Sequence, residues 1–146
     1  MSKIYFFNGW AMDENLLSPL KNSTEYEIKV INFPYNIDKT SINKGDIFIA
    51  YSFGVYYLNK FLSESQDLVY EKAIAINGLP ETIGKFGINK KMFNMTLETL
   101  NKENLEKFLL NMDIDESFER ADKTLEEAKY ELQYFKDNYK AIPNHI

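Results

Sequence analysis

The sequence predicts an α/β protein: a mostly parallel sheet of about four strands, followed by a block of helices. In the first 80 residues, short apolar runs alternate with polar or amphipathic segments, the pattern of strands joined by crossovers. From residue 81 onward the apolar residues recur at helical spacing, and no convincing strand is found. We therefore expect a core over residues 1–80 and a helical block over residues 81–142.

Each predicted strand is a compact apolar run bounded by turn residues. Asp13 is a plausible N-cap for a short helix that reaches Leu20, and Pro19 would shorten or end that helix. The predicted strands are Lys3–Phe7, Glu27–Asn32, Ile47–Ala50 and Lys72–Ile76.

Two amphipathic helices are predicted in the second part of the chain. Asn101 lies near the start of the first, and Thr124 and Glu127 have capping-box spacing at the start of the second. Pro143 is expected to end the second helix. The apolar stripes are Leu105, Phe108, Leu109 and Met112 in the first helix, and Leu125, Ala128, Leu132, Phe135 and Tyr139 in the second.

The most informative stretch is the turn that follows the third predicted strand. A Ser in the pattern Gly-x-Ser-x-Gly between a strand and a helix is typical of a nucleophile elbow, and here Ala50-x-Ser52-x-Gly54 follows it with Ala in the first position. The sharp turn would raise the Ser52 hydroxyl above the carboxyl end of the sheet. The five residues fit equally well a strand-to-helix turn in which Ser52 is a helix cap.

A second loop is expected at the same edge of the sheet. Asn8-Gly9-Trp10 ends the first strand, and Gly9 permits a tight turn. In α/β-hydrolases one oxyanion amide follows the nucleophile and another comes from the loop after an earlier strand, which would make Phe53 and Trp10 the donors. The alternative is that Trp10 is an aromatic at the edge of the core.

Composition excludes several classes of function. The chain has 146 residues, a net charge of -5, one His and no Cys, which disfavours nucleic acid as a partner and disfavours disulfides and a zinc site. The amino terminus has no secretory pattern and no run is long enough to span a membrane, so we expect a cytoplasmic protein.

Several segments together resemble a known family, the BioG-type pimeloyl-[acyl-carrier protein] methyl ester esterases, which are small α/β-hydrolases. The likeness extends over nearly the whole chain, and the ordered set is more specific than the Ser turn alone. The segments that carry it are Phe6–Met12, Ala50–Val55, Ile74–Pro80 and Gly87–Phe108.

The resemblance implies a serine carboxylester hydrolase that cleaves the methyl ester of pimeloyl-acyl carrier protein in biotin synthesis. It implies an acyl carrier protein as partner, no cofactor and no metal, and a helical block that acts as a lid over an acyl tunnel. The implied site residues are Ser52 as nucleophile, Trp10 and Phe53 as oxyanion-hole amides, and Gly9, Gly54 and Gly78 at the elbow and substrate site.

The carboxyl-terminal end departs from this family pattern. The family carries its triad Asp and His after the lid, whereas this chain stops where the next strand is expected, so we expect a truncated α/β-hydrolase fold without those core strands. His145 is expected to be frayed and solvated rather than the base. An uncovered sheet edge would allow self-association. The acidic residues expected to be a solvated surface are Asp113, Asp115, Glu116 and Glu119.

Three explanations of this departure remain open: a break in the coding sequence, missing segments supplied by a second chain, or a fold that has lost catalysis. A non-catalytic binder of an acyl chain or acyl carrier, and a hydrolase of another small ester or thioester, are the alternative functions. Basic residues in the helical block would meet an acidic carrier, or are ordinary solvated faces. They are Lys90, Lys91, Lys102, Lys107, Arg120 and Lys123.

Overall fold

The centre of the molecule is a four-stranded, all-parallel sheet, seen in a computed structural model that describes residues 2–20 and 23–146. The strand order is β2-β1-β3-β4, so β1 and β3 are the inner strands. The predicted α/β class and the parallel sheet of four strands are confirmed. The strands are β1 (Lys3–Phe7), β2 (Glu27–Ile31), β3 (Ile47–Tyr51) and β4 (Lys72–Ile76).

The strand register brings four loops to one edge of the sheet. β1 ends with Phe7 opposite Ile31 of β2, and β3 ends with Tyr51 opposite Ile76 of β4. Because all the strands run in the same direction, the segments that follow them leave the sheet on its carboxyl side, where open α/β sheets bind ligands.

Helix α1 (Gly54–Ser63) covers one part of the sheet. Its buried Val55 and Leu58 belong to one apolar cluster with Phe7 and Phe48, and all four side chains are fully buried. The remaining helices follow β4 and pack over the loops at the carboxyl edge. They are α2 (Lys90–Glu98), α3 (Lys102–Asn111) and α4 (Leu125–Asn138).

Capping residues begin α3 and α4 where the sequence predicts them. The Asn101 side chain accepts a hydrogen bond from the Asn104 amide at 2.7 Å. At the start of α4, Thr124 and Glu127 form a complete capping box. Both motifs satisfy amides that a helix leaves without internal partners.

The structure differs from the prediction in three elements. The short helix predicted after Asp13 is present as the 3₁₀ helix Glu14–Leu20, with the Asn15 amide donating to Asp13 Oδ1 at 2.9 Å, but Pro19 lies inside it and does not end it. Helix α2 was not predicted, because Phe93 is its one buried residue and a single anchor gives no helical apolar stripe. Helix α4 ends at Asn138, well before Pro143, because Tyr139 is extended and the next amide, Lys140 N, donates to the Tyr56 hydroxyl.

Strand β4 forms an edge of the sheet within the described residues. It pairs with β3 alone, and its side chains Ile74 and Ile76 remain 40% and 41% exposed. The uncovered apolar edge expected from the sequence is therefore present here, while self-association through it stays a prediction. None of the described helices is long and apolar enough to cross a membrane.

Close packing at the start of α1 makes Gly54 the most sensitive small residue of the core. A methyl group there would collide with the Phe7 carbonyl oxygen, whereas one at Gly45 would meet the movable end of the Ser2 side chain. We expect Gly54→Ala to lower the free energy of unfolding by about 1–3 kcal/mol, through overpacking. We expect Gly45→Ala to change it by less than about 0.5 kcal/mol. Urea denaturation of both variants measures this, and equal values for the two would contradict the packing described.

Candidate functional site at the carboxyl edge of the sheet

The turn between β3 and α1 holds Ser52 in a left-handed backbone conformation, with φ at 56°. Such a conformation is uncommon for a residue with a side chain and persists where the surroundings fix it. Here the Ser52 amide donates to Ile76 O at 3.0 Å, and Ser52 O accepts from the Val55 amide at 3.1 Å. The N-cap of α1 is Phe53, which makes no side-chain capping bond, so the alternative of Ser52 as the helix cap is wrong.

Three glycines surround this turn. A methyl group at Gly78 would collide with Ser52 O, and one at Gly9 would lie 3.3 Å from Ser52 Cβ. Gly54, directly after the turn, abuts the end of β1. The structure therefore brings Gly9, Gly54 and Gly78 together around Ser52, and their role in binding stays a proposal.

The loop after β1 is fixed by a buried amide that the sequence analysis did not single out. Asn8 is fully buried. Its Nδ2 donates to Asp13 O at 2.8 Å and to Asn32 Oδ1 at 2.9 Å, and its Oδ1 accepts from the Gly9 amide at 2.9 Å. The signal available in the sequence was a polar side chain directly after a buried apolar strand.

Trp10 follows in this loop, and its side chain belongs to the core. The indole Nε1 donates to Ala128 O at 2.8 Å, and the ring packs against Phe53 and Phe108 with centroids 6.4 and 5.1 Å away. The indole thus behaves as the core aromatic of the alternative hypothesis. The assignment of the Trp10 and Phe53 backbone amides as donors to a substrate stays a proposal.

A cavity of about 280 Å³ opens beside Ser52, between the ends of β3 and β4. Its walls are mostly apolar or backbone, and Glu81 is the one charged residue among those that line it. The Glu81 carboxylate accepts from the Phe86 amide at 3.1 Å. The lining residues are Ser52, Phe53, Asn77, Gly78, Leu79, Glu81, Thr82, Gly87 and Ile88.

Residues 79–88 form the far wall of this cavity. Ile83 and Ile88 form an isolated bridge, and the Ile88 amide donates to Thr82 O at 2.7 Å. A methyl group at Gly87 would collide with the carbonyl oxygens of Glu81 and Thr82, so this segment is tightly folded on itself. Its two glycines were the available signal for such a compact loop.

His145 lies away from this cavity and does not line it. Its backbone amide donates to Asn59 Oδ1 of α1 at 2.6 Å, so the backbone here is held rather than frayed. The acidic residues from Asp113 to Glu119 are exposed, as predicted, and Asp115 accepts bonds from Ser117 that hold the pKa of its carboxyl below the usual value.

A larger groove of about 580 Å³ lies between α3 and α4, lined in part by Lys102, Arg120 and Lys123. Two of its basic groups already have partners, because Arg120 pairs with Glu106 and Lys123 lies 3.1 Å from the buried carboxylate of Glu131. Burial raises the pKa of Glu131, and the neighbouring Lys123 opposes that shift. Since Arg120 and Lys123 are already paired and the Ser52 cavity lies at the carboxyl edge of the sheet, we assign the site to the Ser52 cavity.

Within the described ranges, no cluster of His, Asp and Glu side chains is arranged to hold a metal ion.

Comparisons with known proteins give one clear relative. A malonyl-[acyl-carrier protein] O-methyltransferase of Bacteroides fragilis (strain 638R) is 32% identical over 152 aligned positions. The alignment covers 96% of this chain but 30% of the relative, so the chain spans less than a third of the relative's length. No family model and no solved structure matches the chain.

This relative contradicts the family and the function predicted from the sequence. Its name assigns the addition of a methyl group to an acyl-carrier substrate, whereas the predicted BioG-type esterase removes one. The predictions of a BioG-type family member, of a serine esterase and of a hydrolase are therefore wrong. The motifs behind them encode a sharp strand-to-helix turn, and such backbone geometry does not specify a reaction.

The switch point of the sheet, where open parallel sheets usually bind nucleotide-type ligands, offers no open space among the described residues. It lies between the ends of β1 and β3. That place is filled by the buried Trp10 and Phe53, and the Gly9 amide is already bonded to Asn8. The Ser52 cavity, at about 280 Å³, lies close to the lower end of the roughly 300–1,000 Å³ usual for drug-sized ligands, and the groove between α3 and α4, at about 580 Å³, lies within that range.

We expect the buried Asn8 amide to hold the β1 loop in place. Asn8→Ala would leave the buried Gly9 amide without a partner and remove one of the two bonds to Asp13 O, which also accepts from the Leu16 amide, so the free energy of unfolding should fall by about 1–3 kcal/mol. The matched control is Asn138→Ala, an exposed Asn that bonds only to Tyr134 O of its own helix, with an expected change below about 0.5 kcal/mol. Thermal and urea unfolding measure both, and an Asn8 variant as stable as the control would contradict this account.

Proposed function

We propose that this chain takes part in O-methyl transfer to an acyl group carried on an acyl carrier protein, and that it holds the acyl end of that substrate. The observation that supports this most strongly is the 32% identity, over nearly all of the chain, to a protein named for methylating malonyl-acyl carrier protein. The cavity beside Ser52 supplies a place of suitable size and position.

The chemistry of a malonyl group suits the start of α1. A malonyl thioester ends in a carboxylate, whose oxygens accept hydrogen bonds, and the amino terminus of a helix presents free amides and partial positive charge. Phe53 is the N-cap of α1, and Ser52 beside it carries a hydroxyl at the cavity wall. We assign the Ser52 hydroxyl and the amides of Phe53 and Trp10 as donors to the acyl oxygens.

The surface next to the cavity offers a docking place for the carrier itself. Helix α2 begins two residues after Ile88 of the cavity wall, and its first residues are Lys90 and Lys91. These lysines and the exposed Met95 line a shallow depression of about 570 Å³. An acidic carrier protein would meet positive charge here, within reach of the cavity.

Three other basic residues of the helical block contribute less to this docking place, and Lys102 lines the groove between α3 and α4 instead. Lys107 pairs with Glu103 at 3.2 Å, Arg120 pairs with Glu106, and Lys123 pairs with Glu131. An ion pair presents little net charge to a partner, so these residues behave as the solvated faces of the alternative hypothesis.

The proposal divides the reaction between two parts of a longer protein. Because Trp10 and Phe53 fill the switch point of the sheet, the site of the methyl donor is proposed to lie in the part of the relative, more than two thirds of its length, that this chain does not match. Residues 81–142 would act as a lid over the acyl group, beside a core over residues 1–80. The α/β-hydrolase assignment of this core and a cytoplasmic location stay predictions.

Binding of the acyl group tests the proposal directly. We expect malonyl-acyl carrier protein to bind more tightly than the holo-carrier that lacks the malonyl group, and Ser52→Ala to weaken malonyl-carrier binding by about three- to tenfold through loss of one hydrogen bond. Isothermal titration measures each dissociation constant. Ser63→Ala, whose hydroxyl bonds within α1 to Lys60 O, is the control and should bind as the wild type does. Equal affinity for the two carriers would contradict the proposal.

The docking surface has its own test. We expect Lys90→Glu and Lys91→Glu each to weaken carrier binding several-fold, and added salt to weaken the wild-type complex. A carboxylate in the first turn of a helix favours the helix, so lost binding would not reflect unfolding of α2. The control is Lys44→Glu, an exposed residue before β3 at the opposite edge of the sheet. If Lys90→Glu and Lys91→Glu lose no more carrier affinity than Lys44→Glu does, the carrier does not bind at the start of α2.

A further inference from the structure

The chain after α4 does not leave the molecule but returns across α1. The amide of Lys140 donates to the hydroxyl of buried Tyr56 at 3.2 Å. Further along, the fully buried Asn59 donates to Pro143 O at 3.1 Å and accepts from the His145 amide at 2.6 Å. We call residues 139–145 the strap.

Beyond Tyr139, whose amide still bonds to Phe135 O of α4, the strap is an extended segment without helix or sheet bonds, so its backbone polar groups need other partners. Asn59 satisfies them from the side of α1 that faces away from solvent. A buried amide that bonds both a carbonyl and an amide of one extended segment fixes that segment in a single position, since each lost bond would leave a buried polar group unsatisfied.

Tyr139 connects the strap to the cavity wall. Its hydroxyl donates to Ile83 O at 3.0 Å, and its ring packs on Tyr56 and Phe135 with centroids 5.1 and 5.3 Å away. Ile83 follows Thr82, which lines the cavity, and forms the bridge with Ile88, which lines it too. One hydrogen bond, from the Tyr139 hydroxyl to Ile83 O, therefore joins the strap to the cavity wall.

We propose that Tyr139 is a positioning residue that sets the shape of the acyl cavity by holding residues 82–88 against the strap. The inference rests on the proposed function in one respect, which is that the Ser52 cavity holds the acyl group. The hydrogen bond from Tyr139 to Ile83 O does not depend on a ligand, because it joins Tyr139 to backbone that is already folded. A cavity wall held in this way selects the acyl group without contacting the carrier.

Tyr139→Phe tests this inference because it removes the hydroxyl and keeps the ring. We expect the ratio of the holo-carrier to the malonyl-carrier dissociation constant to fall by about three- to tenfold, with the holo-carrier value unchanged. The matched control is Tyr130→Phe, because Tyr130 lies on helix α4 and its side chain is largely exposed. An unchanged ratio in Tyr139→Phe would contradict a role in acyl selection.

Hydrogen exchange supplies a second readout that needs no ligand. The amides of Ile88 and Gly84 donate within the wall, to Thr82 O at 2.7 Å and to Ile88 O at 3.1 Å. We expect both to exchange about three- to tenfold faster in Tyr139→Phe and unchanged in Tyr130→Phe. If these amides exchange faster in Tyr139→Phe but the wild type binds both carriers equally, the hydrogen bond from Tyr139 to the wall is supported and the acyl site is refuted. Unchanged exchange would overturn the inference whatever the carrier does.

Discussion

The site depends on the close approach of three backbone segments around Ser52. The end of β1 lies against Gly54, and Gly78 after β4 lies against the carbonyl of Ser52. Side chains at either glycine would push the segments apart, and the left-handed turn at Ser52 is held by the Ile76 carbonyl between them. The cavity exists because this packing leaves its opening on the side of β4, where the next loop forms its far wall.

A second constraint decides where a ligand can enter. In a doubly wound sheet the crevice at the switch point is the usual ligand site, but here Trp10 and Phe53 fill it and join the helices above to the sheet. The bond from the Trp10 indole to Ala128 O fixes α4 over this point. The Ser52 cavity therefore lies one strand away from the switch point, between the ends of β3 and β4. This smaller cavity suits the end of an acyl chain better than a nucleoside.

The sheet could be predicted from the sequence because each strand is a short apolar run with clear turn residues at both ends. The Ser52 turn and its glycines could also be found from the sequence. Small residues are required wherever two backbones approach closely, so they mark such turns. Helix α2 was not found from the sequence because Phe93 is its one buried residue, Leu97 packs against the core only in part, and Met92 and Met95 face solvent. A periodic signal needs several buried positions, and α2 has one.

The cavity wall and the strap could not be predicted, because both rest on pairs that are far apart in the chain. Tyr139 bonds to Ile83, and Asn59 bonds to His145, across more than fifty residues in each case. The reaction was predicted wrongly for a related reason: the motif around Ser52 reflects the turn, and the turn alone does not say which group is transferred. Methyl transfer is indicated by the similarity to the Bacteroides fragilis protein, whose name states that activity.

The most direct test of the central claim is a nuclear magnetic resonance comparison of the ¹⁵N-labelled chain with malonyl-carrier and with holo-carrier. The account predicts that the amide shifts that differ between the two complexes cluster at Ser52, Phe53, Gly78 and Ile88, around the cavity. Shift differences confined to the groove between α3 and α4, or no differences at all, would contradict it.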